Sequence, residues 1–487
     1  MGVVKRQGIK NTISSYLGII IGFVSLIIIQ PKLLPPEIIG LSRVLFAFST
    51  LVGTLIPLGA ANIAIKYFPK FFNPEEKHHG FWGFLLIFPM VGGTITFLFL
   101  YFFKDDIIAK YSLQSPLFAS YFYLVFPFCI FLGLTSLFNS YLSSIYKSTI
   151  PAYLSDIFVR LLYVICIFLF HYNIFNVSEF IFSYVAIYAI QVIALIIYIY
   201  IEGHPSYKIS WDKVKSENHK EMIQFGLIIS IASFASMGLN TIDAVILGSY
   251  GLNTLGIYTV VAFIPTIIQT PLNALDRISA SKIAFALHEN DTTEIRTIYY
   301  KSCKYLFVIG CYLTVMINTN IASLLSMIKP EYLVAMPIVP IVSIGYLFNM
   351  AGGTNTTLLF YSGKKHESAF LLIGVFIITI VMDIILIPKY GMLGAAYAIM
   401  ITAIIYTLIK WWIIKTKFNL QPYDISFVRI AFTAIIAYLS QVCLPQTSHP
   451  IFDILLKGTI GTIIFTAGIL FQKIIILRLK DGKIVID

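Results

Sequence analysis

Residues 224–251 read QFGLIISIASFASMGLNTIDAVILGSYG, and residues 255–285 continue as LGIYTVVAFIPTIIQTPLNALDRISASKIAF. A similar two-part pattern stands near the N-terminus, as NTISSYLGIIIGFVSLIIIQPKLLPPE at 11–37 and IGLSRVLFAFSTLVGTLIPLGAANIAIKYF at 39–68. Gly40 and Gly256 hold the same place in the two copies, and each copy ends at a lysine, Lys66 or Lys282. The likeness is weak, because the spacing between landmarks drifts by two residues. It predicts two related halves, the second beginning near residue 220.

The composition is that of a membrane protein. Hydrophobic residues make up 58% of the 487 residues and charged residues only 12%, whereas a soluble domain carries roughly 25% charged residues. Several apolar runs exceed the ~20 residues that an α-helix needs to cross the hydrocarbon core. The chain is therefore predicted to be an all-α polytopic membrane protein.

The apolar runs predict about fourteen transmembrane helices. The predicted spans are 11–31, 42–65, 81–103, 117–141, 151–170, 178–201, 222–248, 255–281, 302–321, 332–360, 367–387, 391–413, 425–444 and 452–475. We expect the span 332–360 to bend, because it contains Gly352 and Gly353. The predicted organisation is an N-terminal lobe at 1–201, a cytoplasmic linker at 202–220, a C-terminal lobe at 221–413, and two further helices with a cytoplasmic tail at 414–487.

Lys and Arg residues predict the orientation, since cytoplasmic loops carry an excess of them. If the N-terminus is inside, 24 of the 34 Lys and Arg residues fall in cytoplasmic segments or at the cytoplasmic ends of spans (Lys410 among them), six in outside segments or at the outer ends of spans, and four deeper within spans. Both termini are therefore predicted to be cytoplasmic. The same asymmetry explains the net charge of +11 without a nucleic-acid partner.

Charged residues inside spans are the candidate functional residues, because a charge at the bilayer centre costs at least ~2.5–3.5 kcal/mol and normally faces a partner or a water-filled cavity. The predicted anion-binding residues, which would hold a diphosphate or an anionic glycan, are Arg160, Arg277, Arg43, Lys66 and Lys282. We expect Arg160, Arg277, Lys66 and Lys282 to cluster at the cytoplasmic mouth of a cavity between the two halves, with Arg43 on its far side.

Two acids are candidate ion-coupling residues, Asp243 and Asp156. Asp156 and Arg160 are four residues apart, so they share one helix face and can pair with each other. Asp243 is either a proton or cation site or a residue hydrogen-bonded near the outer headgroups. For the basic residues the alternative is structural: lysines near helix ends commonly reach to lipid headgroups.

The sequence does not favour an enzyme. The five cysteines are scattered without metal-binding or CxxC spacing. His78 and His79 stand beside acids in a loop, which is typical of a solvated turn, and no metal site is predicted. No phosphate-binding loop, nucleophile elbow or HExxH motif occurs. No cofactor is predicted other than a coupling cation, proton or sodium.

Three segments resemble bacterial polysaccharide exporters of the Wzx type. They are IPKYGMLGAAYAIMITAIIYTLIKWW at 387–412, DAVILGSYGLNTLGIYTVVAF at 243–263, and LLPPEIIGLSRVLFAFSTLVGTLIPLGAANIAIKYFPKF at 33–71. The number and spacing of the spans extend the resemblance over nearly the whole chain. These exporters are part of the multidrug/oligosaccharidyl-lipid/polysaccharide superfamily.

The resemblance implies two six-helix lobes around a central cavity plus two C-terminal helices. It implies a flippase in the bacterial inner membrane, which moves a polyprenyl-diphosphate-linked oligosaccharide to the outer leaflet by ion-gradient-coupled alternating access. Its partners would be the lipid-linked oligosaccharide, membrane lipids and a polysaccharide polymerase. Two alternatives stay open: an ion-coupled multidrug exporter of the same fold, which would prefer an acidic cavity, and a membrane glycan polymerase or ligase, which would need a large outer loop.

Overall fold

The computed structural model describes residues 2–203, 205–362, 365–445, 449–472, 477–480 and 483–486. In these residues thirteen helices are long and apolar enough to cross a membrane. A helix suits a bilayer because it satisfies its own backbone hydrogen bonds. The thirteen are Ile13–Leu33, Pro36–Gly53, Lys77–Phe102, Pro116–Ser144, Thr149–His171, Val177–Glu202, His219–Gly238, Leu252–His288, Thr292–Ser326, Phe370–Tyr390, Met392–Phe418, Ile425–Val442 and Pro450–Phe471.

The tenth predicted span, 332–360, is a broken helix. A 3₁₀ turn at Pro330–Ala335 leads into the helix Ile338–Ala351, and a second short helix follows at Asn355–Tyr361. Gly353 has a φ of 57°, a left-handed conformation that glycine adopts without steric cost. The predicted bend at Gly352 and Gly353 is therefore confirmed, and so is the all-α polytopic fold class.

Shorter elements join the spanning helices. The first helix begins at Gly2. The predicted topology places Lys364 and Lys473 in the cytoplasm, and both lie outside the described residues. The tail forms an antiparallel pair of strands, Leu477–Lys480 and Lys483–Ile486, which the sequence prediction did not include. The remaining helices are Ala60–Phe71, Lys104–Ser112, Trp211–Ser216 and Ile242–Gly248.

The chain forms two compact units. One comprises Met1–Thr259 with Leu372–Ile380, and the other comprises Val260–Leu371 with Val381–Asp487. The boundaries predicted for the two lobes, the linker and the C-terminal helices are a different division of the chain and stay a prediction.

The core of the first unit is aromatic at one end. Phe71 and Phe81 stack with ring centroids 4.4 Å apart, and Trp82 lies 4.6 Å from Tyr141. The segment predicted as a linker packs here too, since the backbone N–H of Ser210 donates to the carbonyl of His79. The linker segment is thus part of the first unit, and backbone hydrogen bonds hold it against the residues around His79.

The last two helices are attached to the helix Thr292–Ser326 in the second unit. Thr319 donates to Gln441 over 2.7 Å, and Ser323 donates to Asp453 over 2.6 Å. Asp453 is also ion-paired with Lys457 at 2.8 Å, and both side chains are buried. Polar contacts therefore hold these helices in place where apolar surfaces alone would give little selectivity in lipid.

Candidate functional site

Arg160 and Asp156 both bind the N-terminal helix. The Arg160 guanidinium donates from Nη1 to the carbonyl of Gly18, and Oδ2 of Asp156 accepts a hydrogen bond of 2.9 Å from Ser15. Glycines permit this approach: a Cβ on Gly18 would lie 2.6 Å from the Asp156 carbonyl oxygen, and one on Gly22 would overlap Nη1 of Arg160. The two charged side chains therefore lie against a surface made by small residues.

The predicted pairing of Asp156 with Arg160 is not formed. No ion pair joins these two described residues, because each side chain finds its partner on the N-terminal helix instead. The backbone from Leu154 to Phe158 is also a π-helical turn, wider than an α-helical one. Arg160 thus keeps its charge without a neutralising carboxylate among the described residues. A guanidinium has five N–H donors, so most remain for a ligand.

Arg43 and Arg160 each lie within electrostatic range of one of two neighbouring tyrosines. Arg43 interacts electrostatically with Tyr184, and Arg160 does so with Tyr188. The two tyrosines are one turn apart on the helix Val177–Glu202, with ring centroids at 5.8 Å. Arg43 also donates a hydrogen bond of 3.4 Å to the carbonyl of Asn240. The structure thus brings two of the predicted anion-binding residues to one site in the first unit.

Further aromatic rings surround this tyrosine pair. Tyr188 lies 4.9 Å from Phe128 and 6.0 Å from Phe46, while Tyr184 lies 4.9 Å from Tyr163. The abundance of aromatic residues was visible in the sequence, but not which of them lie beside the arginines. We call the group formed by Arg43, Arg160, Tyr163, Tyr184 and Tyr188 the arginine–tyrosine site.

Asp243 lies in the first unit, where one of its two carboxylate oxygens is hydrogen-bonded and the other is not. Oδ2 accepts a hydrogen bond of 2.9 Å from the hydroxyl of Tyr258, while Oδ1 is buried without a hydrogen-bond partner. A buried carboxylate oxygen without a partner is costly, and it is relieved by binding a proton, a water or a cation. The ion-coupling role of Asp243 stays a prediction.

Lys66 is held at the surface of the first unit. Its ammonium donates to the hydroxyl of Tyr67 over 3.0 Å and lies 3.9 Å from the ring centroid of Phe225, and Tyr67 in turn donates to Glu221. No contact among the described residues joins Lys66 to Arg160. These contacts fasten the helix Ala60–Phe71 to His219–Gly238. The anion-binding role of Lys66 stays a prediction.

Arg277 and Lys282 lie on the helix Thr270–His288, which is in the second unit. The Arg277 side chain is exposed and has no partner among the described residues. Lys282 lines a cavity of about 400 Å³ together with Glu289, Asp291 and Glu294. Its surroundings are therefore acidic, in contrast to the basic cluster that the sequence predicts. The predicted cluster of Arg277 and Lys282 with Arg160 and Lys66 stays a prediction.

The structure places one charged group, Lys410, differently from the sequence prediction. The predicted topology groups Lys410 with the cytoplasmic residues, but the helix Met392–Phe418 continues past it and its side chain is only 4% exposed. The available signal was its position three residues inside the predicted end of that span. In the described residues, no group of three or more His, Cys, Asp or Glu side chains could hold a metal ion.

Comparison with solved structures defines the class of fold. The chain shares its fold with "Lipid II flippase MurJ, inward closed conformation" at a TM-score of 0.74 and 16% identity, covering 96% of this chain and 99% of that one. It also matches the inward-facing conformation of a multidrug resistance MATE family transporter of the MOP superfamily, at a TM-score of 0.65 and 13% identity, covering 82% and 94%. These neighbours are a flippase and a transporter.

The family follows from the sequence. A family model described as "Polysaccharide biosynthesis protein" matches residues 4–275, more than half of the chain, and the chain belongs to this family. Comparison with curated protein sequences finds no match. The protein is thus a multi-pass helical membrane protein of the polysaccharide biosynthesis family with a flippase or transporter fold.

Proposed function

We propose that this protein flips a polyprenyl-diphosphate-linked oligosaccharide from the cytoplasmic to the outer leaflet of a bacterial inner membrane, for the synthesis of cell-surface polysaccharide. The observation that carries the proposal is the arginine–tyrosine site, where Arg43 and Arg160 each lie within electrostatic range of one member of a tyrosine pair and no carboxylate pairs with either arginine among the described residues. The family and the fold of a lipid II flippase support a lipid-linked substrate.

The chemistry of the site suits this cargo. A guanidinium can donate two parallel hydrogen bonds to one phosphate, and two guanidinium groups can balance the charge of a diphosphate. The tyrosines beside them offer hydroxyl groups for sugar hydroxyls and apolar ring faces for the sugar rings. The polyprenyl tail would stay in the bilayer while the headgroup passes along the arginines.

The coupling and topology belong to the same proposal. An ion gradient, of protons or sodium, would drive alternating access, with the free oxygen of Asp243 supporting that residue as the coupling acid. Asp156 is a second candidate, but its Oδ2 is occupied by Ser15. The Lys and Arg distribution supports cytoplasmic termini. Lipid-linked oligosaccharide, membrane lipids and a polysaccharide polymerase are the partners that this function would use.

A multidrug exporter of the same fold is the second candidate. It is favoured by the fold shared with a MATE transporter and by Asp243, whose free carboxylate oxygen could bind a cation. The charges of Arg43 and Arg160 disfavour binding of a cationic drug at this site, because like charges repel each other.

The deciding experiment measures which leaflet holds the lipid-linked glycan. Cells depleted of the protein are treated with a non-permeant, glycan-specific probe, first intact and then permeabilised. We expect the glycan to accumulate on the inner face, and its analysis would identify the cargo. Unchanged sidedness together with altered sensitivity to cationic dyes would contradict the flippase proposal and favour the drug exporter.

A further inference from the structure

Lys410 is a buried cation with few partners. Its ammonium donates to the hydroxyl of Thr356 over 2.9 Å and lies 4.0 Å from the ring centroid of Tyr406. An ammonium has three N–H donors, and among the described contacts only one of them meets an oxygen. A buried charge that is incompletely solvated is unusual in a membrane helix and indicates a functional role.

Asp276 faces this cation without touching it. It interacts electrostatically with Lys410, yet its Oδ1 atom accepts a hydrogen bond of 2.6 Å from Thr357 and no ion pair joins the two. Two adjacent threonine hydroxyls therefore stand between the lysine and the aspartate. In the described part of the second unit, Asp276 and Tyr406 are the titratable groups that face Lys410.

The two threonines belong to the short helix Asn355–Tyr361, which follows the break at Gly353. A Cβ on Gly353 would lie 2.7 Å from the backbone nitrogen of Cys303, so only glycine fits this turn. Asn355, at the start of the short helix, is 1% exposed and its Nδ2 atom has no hydrogen-bond partner. The short helix thus has a hinge at one end and a buried donor left unsatisfied.

Thr356 and Thr357 fasten this hinged helix on two sides. Thr356 accepts a hydrogen bond from Lys410 on the helix Met392–Phe418. Thr357 donates a hydrogen bond to Asp276 on the helix Thr270–His288. Arg277, a predicted anion-binding residue, directly follows Asp276 in the chain. A change in the charge of Lys410 would therefore act on both the short helix and the position of Arg277.

We propose that Lys410 is a proton-binding latch for the short helix Asn355–Tyr361. With the proton bound, the ammonium donates to Thr356 and balances the charge of Asp276. On release, one N–H bond breaks, the proton passes to water, and the electron pair stays on Nζ. The neutral amine holds Thr356 less strongly and leaves Asp276 unbalanced, so the short helix can swing about Gly353. The proposal rests on the proposed function for what the latch controls, namely movement of an anionic headgroup past Arg277.

The test follows the short helix directly. Nitroxide labels are attached to Ser281→Cys and Tyr361→Cys, two exposed positions in the second unit, with the exposed Cys443 replaced by serine. The distance between labels is measured by pulsed electron spin resonance on the full chain in lipid nanodiscs. We expect a one-proton transition between about pH 5 and pH 9, the range open to a buried lysine.

Two variants of Lys410 remove the transition for opposite reasons. Lys410→Met has no proton to bind, and Lys410→Arg cannot release one, so both should give a distance that does not change with pH. The matched control is the double variant Asp453→Leu/Lys457→Met, which removes the other lysine that is buried among the described residues together with its direct ion partner and should retain the transition. A pH-independent distance in the unaltered protein, or a transition retained in Lys410→Met, would overturn the latch.

The assay contains no substrate, so it separates this proposal from the proposed function. A Lys410-dependent transition in a protein whose depletion leaves glycan sidedness unchanged would support the latch and contradict the flippase. Glycan accumulation on depletion without a Lys410-dependent transition would support the flippase and contradict the latch.

Discussion

Gly40 and Gly256 lie against each other in a reciprocal contact. A Cβ on Gly40 would overlap the carbonyl oxygen of Leu252, four residues before Gly256, and a Cβ on Gly256 would overlap the carbonyl oxygen of Pro36, four residues before Gly40. Contacts of this form, in which i meets j and j meets i, mark a two-fold relationship. The two glycines that the internal repeat aligns are thus the point where the helices Pro36–Gly53 and Leu252–Phe263 cross.

Filling this crossing should destabilise the protein. Gly256→Leu and Gly40→Leu are each expected to cost at least ~1–3 kcal/mol, because backbone atoms on the facing helix cannot move aside as a side chain would. The thermal midpoint in detergent should fall in both variants. Gly93→Leu is the matched control, since nothing lies within 4 Å of a Cβ at that mid-helix position. Equal midpoints for Gly256→Leu and Gly93→Leu would contradict the close crossing.

Loss of Arg160 should reduce glycan export. Arg160→Ala is expected to lower export about 10- to 100-fold, the equivalent of losing a charged hydrogen bond worth ~1.5–3 kcal/mol. Arg43→Ala should act in the same direction, since Arg43 belongs to the same arginine–tyrosine site. The leaflet assay described above measures the effect, and the thermal midpoint checks that the contact to Gly18 is not needed for folding. Arg429→Ala, an exposed arginine in the helix Ile425–Val442, should export normally.

Asp243 should govern the response to the ion gradient. Asp243→Asn keeps an oxygen that can accept from Tyr258 but removes the charge, so export should continue slowly and no longer respond to a protonophore or to removal of sodium. Asp105→Asn, on the exposed helix Lys104–Ser112, should respond like the unaltered protein. If Asp243→Asn retains the full response, the coupling acid lies elsewhere.

Loss of Asp453 alone should destabilise the protein more than replacement of both Asp453 and Lys457 by apolar residues. Asp453→Ala alone is expected to destabilise by ~3–5 kcal/mol, because it leaves the Lys457 ammonium buried without its partner. Asp453→Leu/Lys457→Met should restore most of the loss, since an apolar pair of similar volume replaces two buried charges. The thermal midpoints of the single and double variants measure the difference, and a double variant no more stable than the single would contradict it.

Acid should weaken the contact between the linker segment and the helix Ala60–Phe71. Hydrogen bonds from Lys213, at 2.7 Å, and Lys70, at 3.3 Å, lower the pKa of Glu217. The stabilisation is present above the ordinary Glu pKa of about 4.3 and is lost as pH falls through the lowered value. Thermal midpoints between about pH 3 and pH 7 should therefore fall less steeply in Glu217→Gln than in the unaltered protein or in Glu75→Gln. The effect is small because all three side chains are partly exposed.

The class of this protein and most of its helices can be predicted from local sequence alone. Apolar runs of membrane-spanning length are a property of local composition, so the spans and the bend at Gly352 and Gly353 could be predicted without any tertiary contact. The same applies to the repeat, because Gly40 and Gly256 align in the sequence whether or not they touch.

The contacts of the charged side chains, in contrast, depend on how distant helices pack together. Spacing correctly placed Asp156 and Arg160 on one helix, but both side chains turned to the N-terminal helix, about 140 residues away in the chain. Lys410 looked like a loop lysine, because hydropathy cannot tell a helix end in lipid from one buried among other helices. A charge in a membrane helix is costly wherever it stands, so the sequence shows that it needs a partner, while the packing of distant helices selects which partner it finds.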